Sequence, residues 1–284
     1  MRALIVFALL LQQQEKPRPD VANEKYGDHE RHVFDLWKAK SDTPTPLVIF
    51  IHGGGFRAGS KEQLNGNLLR RCLEKGVSVA SINYRLTNVA PFPAPMHDGA
   101  RAVQYMRSKA KEWNLDPDRF AATGGSAGAG ISLWLAFHDD LADPKSEDPV
   151  ARMSTRLACA FVSNGQTSYD RRFIRDRIGG KAHEHAALPP FWGLKPEEFE
   201  TEKAYKIYEE CSPIHHLTKD DVPVYLSYGG NDKPSDKPGA GIHSEKFGMV
   251  LQEEMKKLGL ECEVVVGRGG PDAEVDWLLK HLKK

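Results

Sequence analysis

"FAATGGSAGAGISLWLAF", residues 120–137, holds a strand-like run, a sharp turn and a helix-like run in direct succession. The small and apolar residues before Gly124 are typical of a buried strand, and residues 127–137 predict a helix. Between them, Gly124 and Gly128 flank Ser126 in a G-x-S-x-G pattern, in which glycines allow close packing around a strained serine. In this context the pattern predicts a nucleophilic Ser126 over the sheet, although alone it also occurs in ordinary glycine-rich turns.

Strand-like and helix-like segments alternate along the rest of the chain. Strands are predicted at 32–39, 47–51, 77–85, 119–125, 158–165, 222–230 and 262–267, and helices at 64–76, 98–113, 127–137, 244–258 and in a last segment ending at Leu282. This alternation predicts an α/β fold with a mostly parallel sheet covered by helices on both faces. The polar, proline-containing section 166–210 interrupts it, and we interpret that section as a small cap or lid insertion. Four aromatic residues either line the substrate pocket or pack in the core, and the sequence leaves both alternatives open: Phe56, Tyr169, Phe191 and Trp192.

A second glycine-rich stretch, "FIHGGGF", follows the first long apolar strand at residues 50–56. Consecutive glycines usually mark a place where the backbone approaches another group closely. We expect the N–H groups of Gly54, Gly55 and Ala127 to hold a substrate oxyanion, against the alternative of a simple turn. His52 is interpreted as a brace for this loop rather than as a base.

These motifs together resemble a known family. "HGGGF", "NYRL", "FPAPMHDGARAVQYMR", "DPDRF" and "GGSAG" are similar to the α/β-hydrolase superfamily, in its esterase branch of hormone-sensitive-lipase-like and BD-FAE-like carboxylesterases. The similarity runs from about Tyr26 to about Asp232. It implies a sheet of about eight strands, ester hydrolysis through an acyl-enzyme, and no cofactor.

The same resemblance assigns an acid to Asp232, which follows the strand at 222–230 and continues the family's chain order of serine, acid and histidine. A carboxylate there would orient an imidazole and stabilise its charged form. Asp236 lies deeper in the following loop, and a turn role is the alternative for Asp232 because Asn-Asp is turn chemistry.

The histidine that the family carries after its last strand is missing from "VVVGRGGPD", residues 264–272. Arg268 cannot replace it, because a guanidinium stays protonated and has no lone pair. His243 is the first candidate: it keeps the chain order, although the start of a helix disfavours an imidazolium. His97, His183 and His185 remain alternatives, as does the absence of any base, whereas topology disfavours His215, His216 and His281.

Composition limits the classes of partner. Lys plus Arg and Asp plus Glu each total 39, so no net charge would attract nucleic acid or an anionic membrane, and a small-molecule ester substrate fits better. The four cysteines show no C-x-x-C spacing, so no metal is expected, while a disulfide is left open. No membrane span is predicted, and the oligomeric state is left open.

The N-terminus "MRALIVFALLLQQQ" predicts export. Arg2 followed by the apolar run 3–11 has the length of a signal-peptide core and is too short to span a bilayer. An ordinary apolar start is the alternative, because Gln12 to Gln14 occupy the place of a cleavage site. We therefore expect a signal peptide at 1–14, a linker at 15–24, a hydrolase domain at 25–284, and a secreted or periplasmic protein.

Two functional hypotheses follow. In the first, the protein is a serine hydrolase of carboxylic esters, with decorated polysaccharides among its candidate substrates. In the second, motivated by the missing histidine, it is an impaired hydrolase-fold protein that binds a ligand without turnover.

Overall fold

The computed structural model describes residues 16–267 and 273–282. Eight strands form one sheet: β1 (Val21–Lys25), β2 (Val33–Trp37), β3 (Thr45–Ile51), β4 (Ser78–Ile82), β5 (Leu115–Gly125), β6 (Cys159–Ser163), β7 (Val224–Tyr228) and β8 (Cys262–Val266). The helices are α1 (Gly66–Glu74), α2 (Ala94–Ser108), α3 (Ala127–Phe137), α4 (Arg171–Phe173), α5 (Leu188–Trp192), α6 (Glu202–Cys211), α7 (Lys246–Lys257) and α8 (Ala273–Leu282).

The strand order is β1-β2-β4-β3-β5-β6-β7-β8. The pairs β1–β2 and β2–β4 are antiparallel, and every other pair is parallel. Alternate residues of the central strands enter two separate cores: Ile49 and Ala122 face the core that contains α2 and α3, and Val48 and Ala121 face the one that contains α1 and α8. The predicted α/β class and the mostly parallel, doubly covered sheet are confirmed.

Two boundaries differ from the sequence-based expectation. The linker expected at 15–24 is wrong at its end, because Val21–Lys25 forms edge strand β1 against β2. Its polar sequence and mostly exposed side chains lack the apolar alternation that predicts a strand, so only pairing with β2 reveals it. Helix α2 begins at Ala94, four residues before the predicted start, because Pro95 is accommodated in the first turn.

The section 166–210 lies between β6 and β7 and contains no strand among the described residues. It consists of short helical pieces, and Ile174, Ile178 and Phe191 within it are buried in the same core as α2 and α3. The insertion therefore packs as part of the same body as the sheet.

Candidate functional site

Ser126 occupies a strained turn between β5 and α3. Its φ of 53° and ψ of −117° fall in a region that non-glycine residues rarely adopt. The glycines on either side explain how the chain turns there: a Cβ on Gly124 would lie 2.3 Å, and one on Gly128 2.0 Å, from the carbonyl oxygen of Ile51. The pattern G-x-S-x-G is thus required by the close approach of β3 to this turn.

His243 is the residue that reaches the Ser126 hydroxyl. The distance from Ser126 Oγ to His243 Nε2 is 2.9 Å, which is a hydrogen bond. His243 lies in the segment between β7 and α7, three residues before the first residue of α7. The positive end of the α7 dipole therefore destabilises a His243 imidazolium less than it would if His243 were in the first turn of the helix.

Asp232 holds this segment mainly through backbone amides. Its Oδ1 accepts a hydrogen bond from the Gly241 N–H and its Oδ2 one from the His243 N–H, each at 2.7 Å. The ring nitrogen His243 Nδ1 lies 3.6 Å from Asp232 Oδ2, which is beyond hydrogen-bond range but close enough for attraction to an imidazolium. Asp236, the neighbouring carboxylate in the loop, is exposed.

The protonation state of His243 follows from these surroundings. Burial lowers the pKa of His243 below its ordinary value, and the charge of Asp232 opposes that shift only in part. The imidazole is therefore neutral at pH 7. The Asp232 carboxylate faces Nδ1 and favours the tautomer with the hydrogen on that nitrogen. Nε2 then carries the lone pair and accepts from the Ser126 hydroxyl.

Backbone amides lie next to Ser126 on the other side of the turn. Among residues 16–267 and 273–282, the N–H groups of Gly54, Gly55 and Ala127 donate to no other group of the protein. Gly54 has a φ of 107°, and a Cβ there would lie 2.2 Å from the Ala58 carbonyl oxygen, so only glycine fits. All three amide-bearing residues line the same cavity as Ser126 and His243.

His52 supports this glycine loop from behind. Its ring stacks on Tyr84 with centroids 4.2 Å apart, and its Nε2 lies 3.1 Å from the Arg31 guanidinium. Because a guanidinium only donates, Nε2 must accept, and Nδ1–H donates to the Gly53 carbonyl oxygen. Burial lowers the pKa of His52 to about 4, so this histidine stays neutral and holds the loop in place.

The cavity above Ser126 has a volume of about 390 Å³. Phe56 and Tyr169 line it together with Leu188. Phe191 stacks on Phe56 with centroids 4.0 Å apart, and Trp192 donates from Nε1 to the Tyr169 carbonyl oxygen, so both are core residues behind the wall. The insertion thus supplies one side of the cavity.

The other candidate histidines are placed differently. His185 lines the cavity, and its pKa is lowered by burial and then by nearby His243. His97 lies within α2, with its ring 6.0 Å from that of Trp134, and His183 lies beside Glu184. Arg268, Gly269 and Gly270, which stand where the family histidine was found to be missing, lie outside the described residues.

Gln166 is a site residue that the sequence did not single out. Its Nε2 donates to the Ile242 carbonyl oxygen at 2.8 Å, and the side chain is buried beside the cavity. It therefore fixes the backbone next to His243. Its position just after β6, at the edge of the sheet where ligands bind, is the one sequence signal that could have found it.

Comparisons with known proteins agree with this geometry. Residues 34–236 match the sequence model of the BD-FAE family. A Mycobacterium tuberculosis protein named "Probable carboxylic ester hydrolase LipM" is 26% identical over 211 residues, covering 73% of this chain and 47% of that protein. The chain spans about half the length of the curated relatives it matches.

Solved structures show the same fold. A truncated carbohydrate esterase from gut microbiota superimposes with a TM-score of 0.73 at 20% identity, covering 93% of this chain and 96% of the other. A propionate-bound esterase of Thermogutta terrifontis gives a TM-score of 0.66 at 20% identity, with 93% of each chain covered. These likenesses confirm the α/β-hydrolase fold. No helix of the described residues is long and apolar enough to cross a membrane.

Proposed function

The chain belongs to the BD-FAE family, and from this membership and the geometry around Ser126 we propose that it hydrolyses carboxylic esters through an acyl-enzyme. The observation that carries the proposal is the hydrogen bond of 2.9 Å between Ser126 Oγ and His243 Nε2. A serine hydroxyl is a weak nucleophile until a neighbouring base removes its proton, and His243 supplies that base.

The proton moves between two side chains in this mechanism. Ser126 Oγ attacks the ester carbonyl carbon while His243 Nε2 accepts the hydroxyl proton, which it then donates to the departing alcohol oxygen. Water attacks the acyl-enzyme by the same route and releases the acid. Asp232, 3.6 Å from His243 Nδ1, stabilises the transient imidazolium and positions the His243 segment through its two backbone hydrogen bonds.

The negative charge that develops on the carbonyl oxygen needs donors that are already in place. The amides of Gly54, Gly55 and Ala127 meet this need, because no group among the described residues accepts from them. Removal of one such donor from a serine hydrolase raises the barrier by about 3 to 4 kcal/mol. Apart from the ester and the water that attacks the acyl-enzyme, these steps need only groups of the chain.

The size of the cavity favours an ester with a small group on the side of Phe56 and Tyr169. A cavity of about 390 Å³ is at the low end of the range for small-molecule sites and fits a short acyl or alcohol group in contact with Phe56 and Tyr169. An acetyl group on a polysaccharide is one such substrate, and the likeness to a carbohydrate esterase supports testing it.

The test combines an active-site probe with ester hydrolysis. We expect a fluorophosphonate probe to label the protein, the Ser126→Ala variant to lose labelling, and hydrolysis of p-nitrophenyl acetate to fall by about 10⁴-fold or more. His243→Ala should lower kcat by about 10³-fold, because the base is lost.

His185→Ala is the matched control for the base, since His185 lines the same cavity without contacting Ser126 Oγ. It should change kcat by less than about tenfold. If both histidine variants lost the same kcat, the assignment of His243 as the proton acceptor would be wrong. If the probe still labelled the Ser126→Ala variant, Ser126 would not be the nucleophile.

The alternative function, binding without turnover, rested on the missing base. With His243 beside Ser126, no contact among the described residues favours it. A folded protein that shows neither probe labelling nor ester hydrolysis would support binding without turnover.

Export also stands as a proposal. We propose that residues 1–14 act as a signal peptide and that the hydrolase works in the periplasm or outside the cell, on the support of Arg2 and the apolar run 3–11. Those residues lie outside the described part of the chain.

A further inference from the structure

A cluster of two histidines and a glutamate lies away from the Ser126 site. His138 follows the last residue of α3, Glu210 is in the last turn of α6, and His216 ends the short 3₁₀ turn Pro213–His216. One potential ligand atom from each of the three lies within 4.8 Å of the other two. The 11-residue helix α3 separates this cluster from Ser126 by about 17 Å, at about 1.5 Å per residue.

The hydrogen bonds of the two rings determine which nitrogen carries a lone pair. His138 Nδ1 lies 2.9 Å from the Asp139 carbonyl oxygen, and His216 Nε2 lies 2.7 Å from the Glu210 carbonyl oxygen. Because a carbonyl oxygen only accepts, both of these nitrogens carry hydrogens. In neutral rings the lone pairs are then left on His138 Nε2 and His216 Nδ1.

The ring nitrogen of His138 that remains free faces a carboxylate. Its Nε2 lies 3.2 Å from Glu210 Oε1. A cation placed between these two atoms would be bound by both. A carbonyl oxygen on the remote nitrogen of a ligating histidine is the usual support for a metal-bound imidazole.

We propose that His138, Glu210 and His216 bind one Zn²⁺ ion, with water completing the coordination. Two imidazoles and one carboxylate are a donor set that zinc prefers, at about 2.0 to 2.2 Å from each atom. Ligand atoms of a tetrahedral site are then about 3.4 Å apart, so binding requires the side chains to move together from separations of up to 4.8 Å. The Glu210 side chain is 52% exposed and free to make this movement.

The backbone around the cluster is already fixed. Trp134 Nε1 donates to the Glu210 carbonyl oxygen at 3.0 Å, the same atom that accepts from His216. The rings of His138 and His216 are 4.6 Å apart, and His138 packs on Trp134 at 4.0 Å. A bound ion would therefore join the end of α3 to the segment that leaves the insertion, a structural role that does not depend on ester hydrolysis.

The test is zinc titration of untagged protein after chelator treatment, at pH 7.5, where free imidazoles are mostly neutral. We expect one saturable Zn²⁺ per chain, an upward shift of Tm with zinc, and the visible absorption bands of four-coordinate Co²⁺ when cobalt replaces it. Glu210→Gln and His216→Ala should each weaken binding at least tenfold, since even loss of a group that only orients a ligand costs that much.

The neighbouring His215→Ala is the matched control, because His215 is exposed and pairs with Asp170 rather than with the cluster. It should keep the affinity of the parent protein, as should His243→Ala, which removes a partly exposed imidazole outside the cluster. Absence of saturable binding would leave an imidazolium–carboxylate pair as the explanation of the 3.2 Å contact, and equal weakening in His215→Ala would mean unspecific binding. Glu210→Gln keeps the proposal testable if His216→Ala fails to fold.

Discussion

At the scale of single residues, the pKa of His243 predicts the pH dependence of the proposed reaction. The base must be neutral, so kcat/KM falls as pH drops through its pKa, which burial holds below the ordinary value of about 6.5. Asp232→Asn removes the charge that partly restores this pKa, so the acid limb should move to lower pH while the plateau of kcat falls. Stopped assays with p-nitrophenyl acetate from pH 4 to 8 measure both effects.

Thermal unfolding serves as the control for this variant, because Asp232 also accepts from two amides. An acid limb that stays in place, or moves to higher pH, would show that the charge of Asp232 does not act on the catalytic base.

The residues that sequence reasoning located are those whose role is local. The positions of Ser126 and of the Gly54 amide depend on glycines that a close backbone contact requires, and such glycines are visible in the sequence. His243 was chosen from chain order, and its contact with Ser126 agrees with that choice. The way in which Asp232 holds it, through amides rather than through the ring, depends on the conformation of a loop that no local pattern predicts.

At the scale of secondary structure, the junction between β5 and α3 predicts a stability effect opposite to helix propensity. Alanine normally stabilises a helix by up to about 1 kcal/mol relative to glycine. At Gly128, however, the new Cβ would lie 2.0 Å from the Ile51 and 2.7 Å from the His52 carbonyl oxygens, and a backbone cannot move aside cheaply. Gly128→Ala should therefore destabilise the protein by about 1 to 3 kcal/mol, and shift Ser126 Oγ so that kcat falls as well.

Chemical denaturation and ester hydrolysis measure these two losses. Gly229→Ala is the control, since the nearest atom to its Cβ would be Asn231 Nδ2 at an ordinary 3.8 Å. Unchanged stability in Gly128→Ala would mean that β3 and α3 are not in the close contact described.

Some secondary-structure elements could be predicted from the sequence, and others could not. Long apolar strands such as β3 and β5 were predicted because a strand covered on both faces has a distinctive composition. Strand β1 was not, because its pairing with β2 and not its own residues makes it a strand. The cluster of His138, Glu210 and His216 was likewise missed: the expectation of no metal considered cysteine spacing, whereas these residues meet only after the insertion has folded against α3.

At the scale of the whole molecule, the redox state of the cysteines bears on the proposed export. The disulfide left open by the sequence does not form: Cys72, Cys159, Cys211 and Cys262 are free, and the first three are buried. Burial also raises the pKa of the Cys72 and Cys159 thiols to about 12, so they resist oxidation. The fold is therefore compatible with an oxidising compartment without depending on it.

The proposed export predicts the behaviour of a reporter. Residues 1–20 fused to a β-lactamase that lacks its own signal should confer ampicillin resistance on a bacterial host, because this enzyme protects the cell only from the periplasm. Phe7→Arg, which places a charge at the centre of the apolar run 3–11, should abolish resistance, since a charged residue at the centre of an apolar segment costs about 2.5 to 3.5 kcal/mol on insertion. Gln13→Arg, outside that run, is the matched control and should have a smaller effect. Resistance that never appears, despite full-length fusion protein in the cytoplasm, would place the hydrolase inside the cell and leave the N-terminus as an ordinary apolar start.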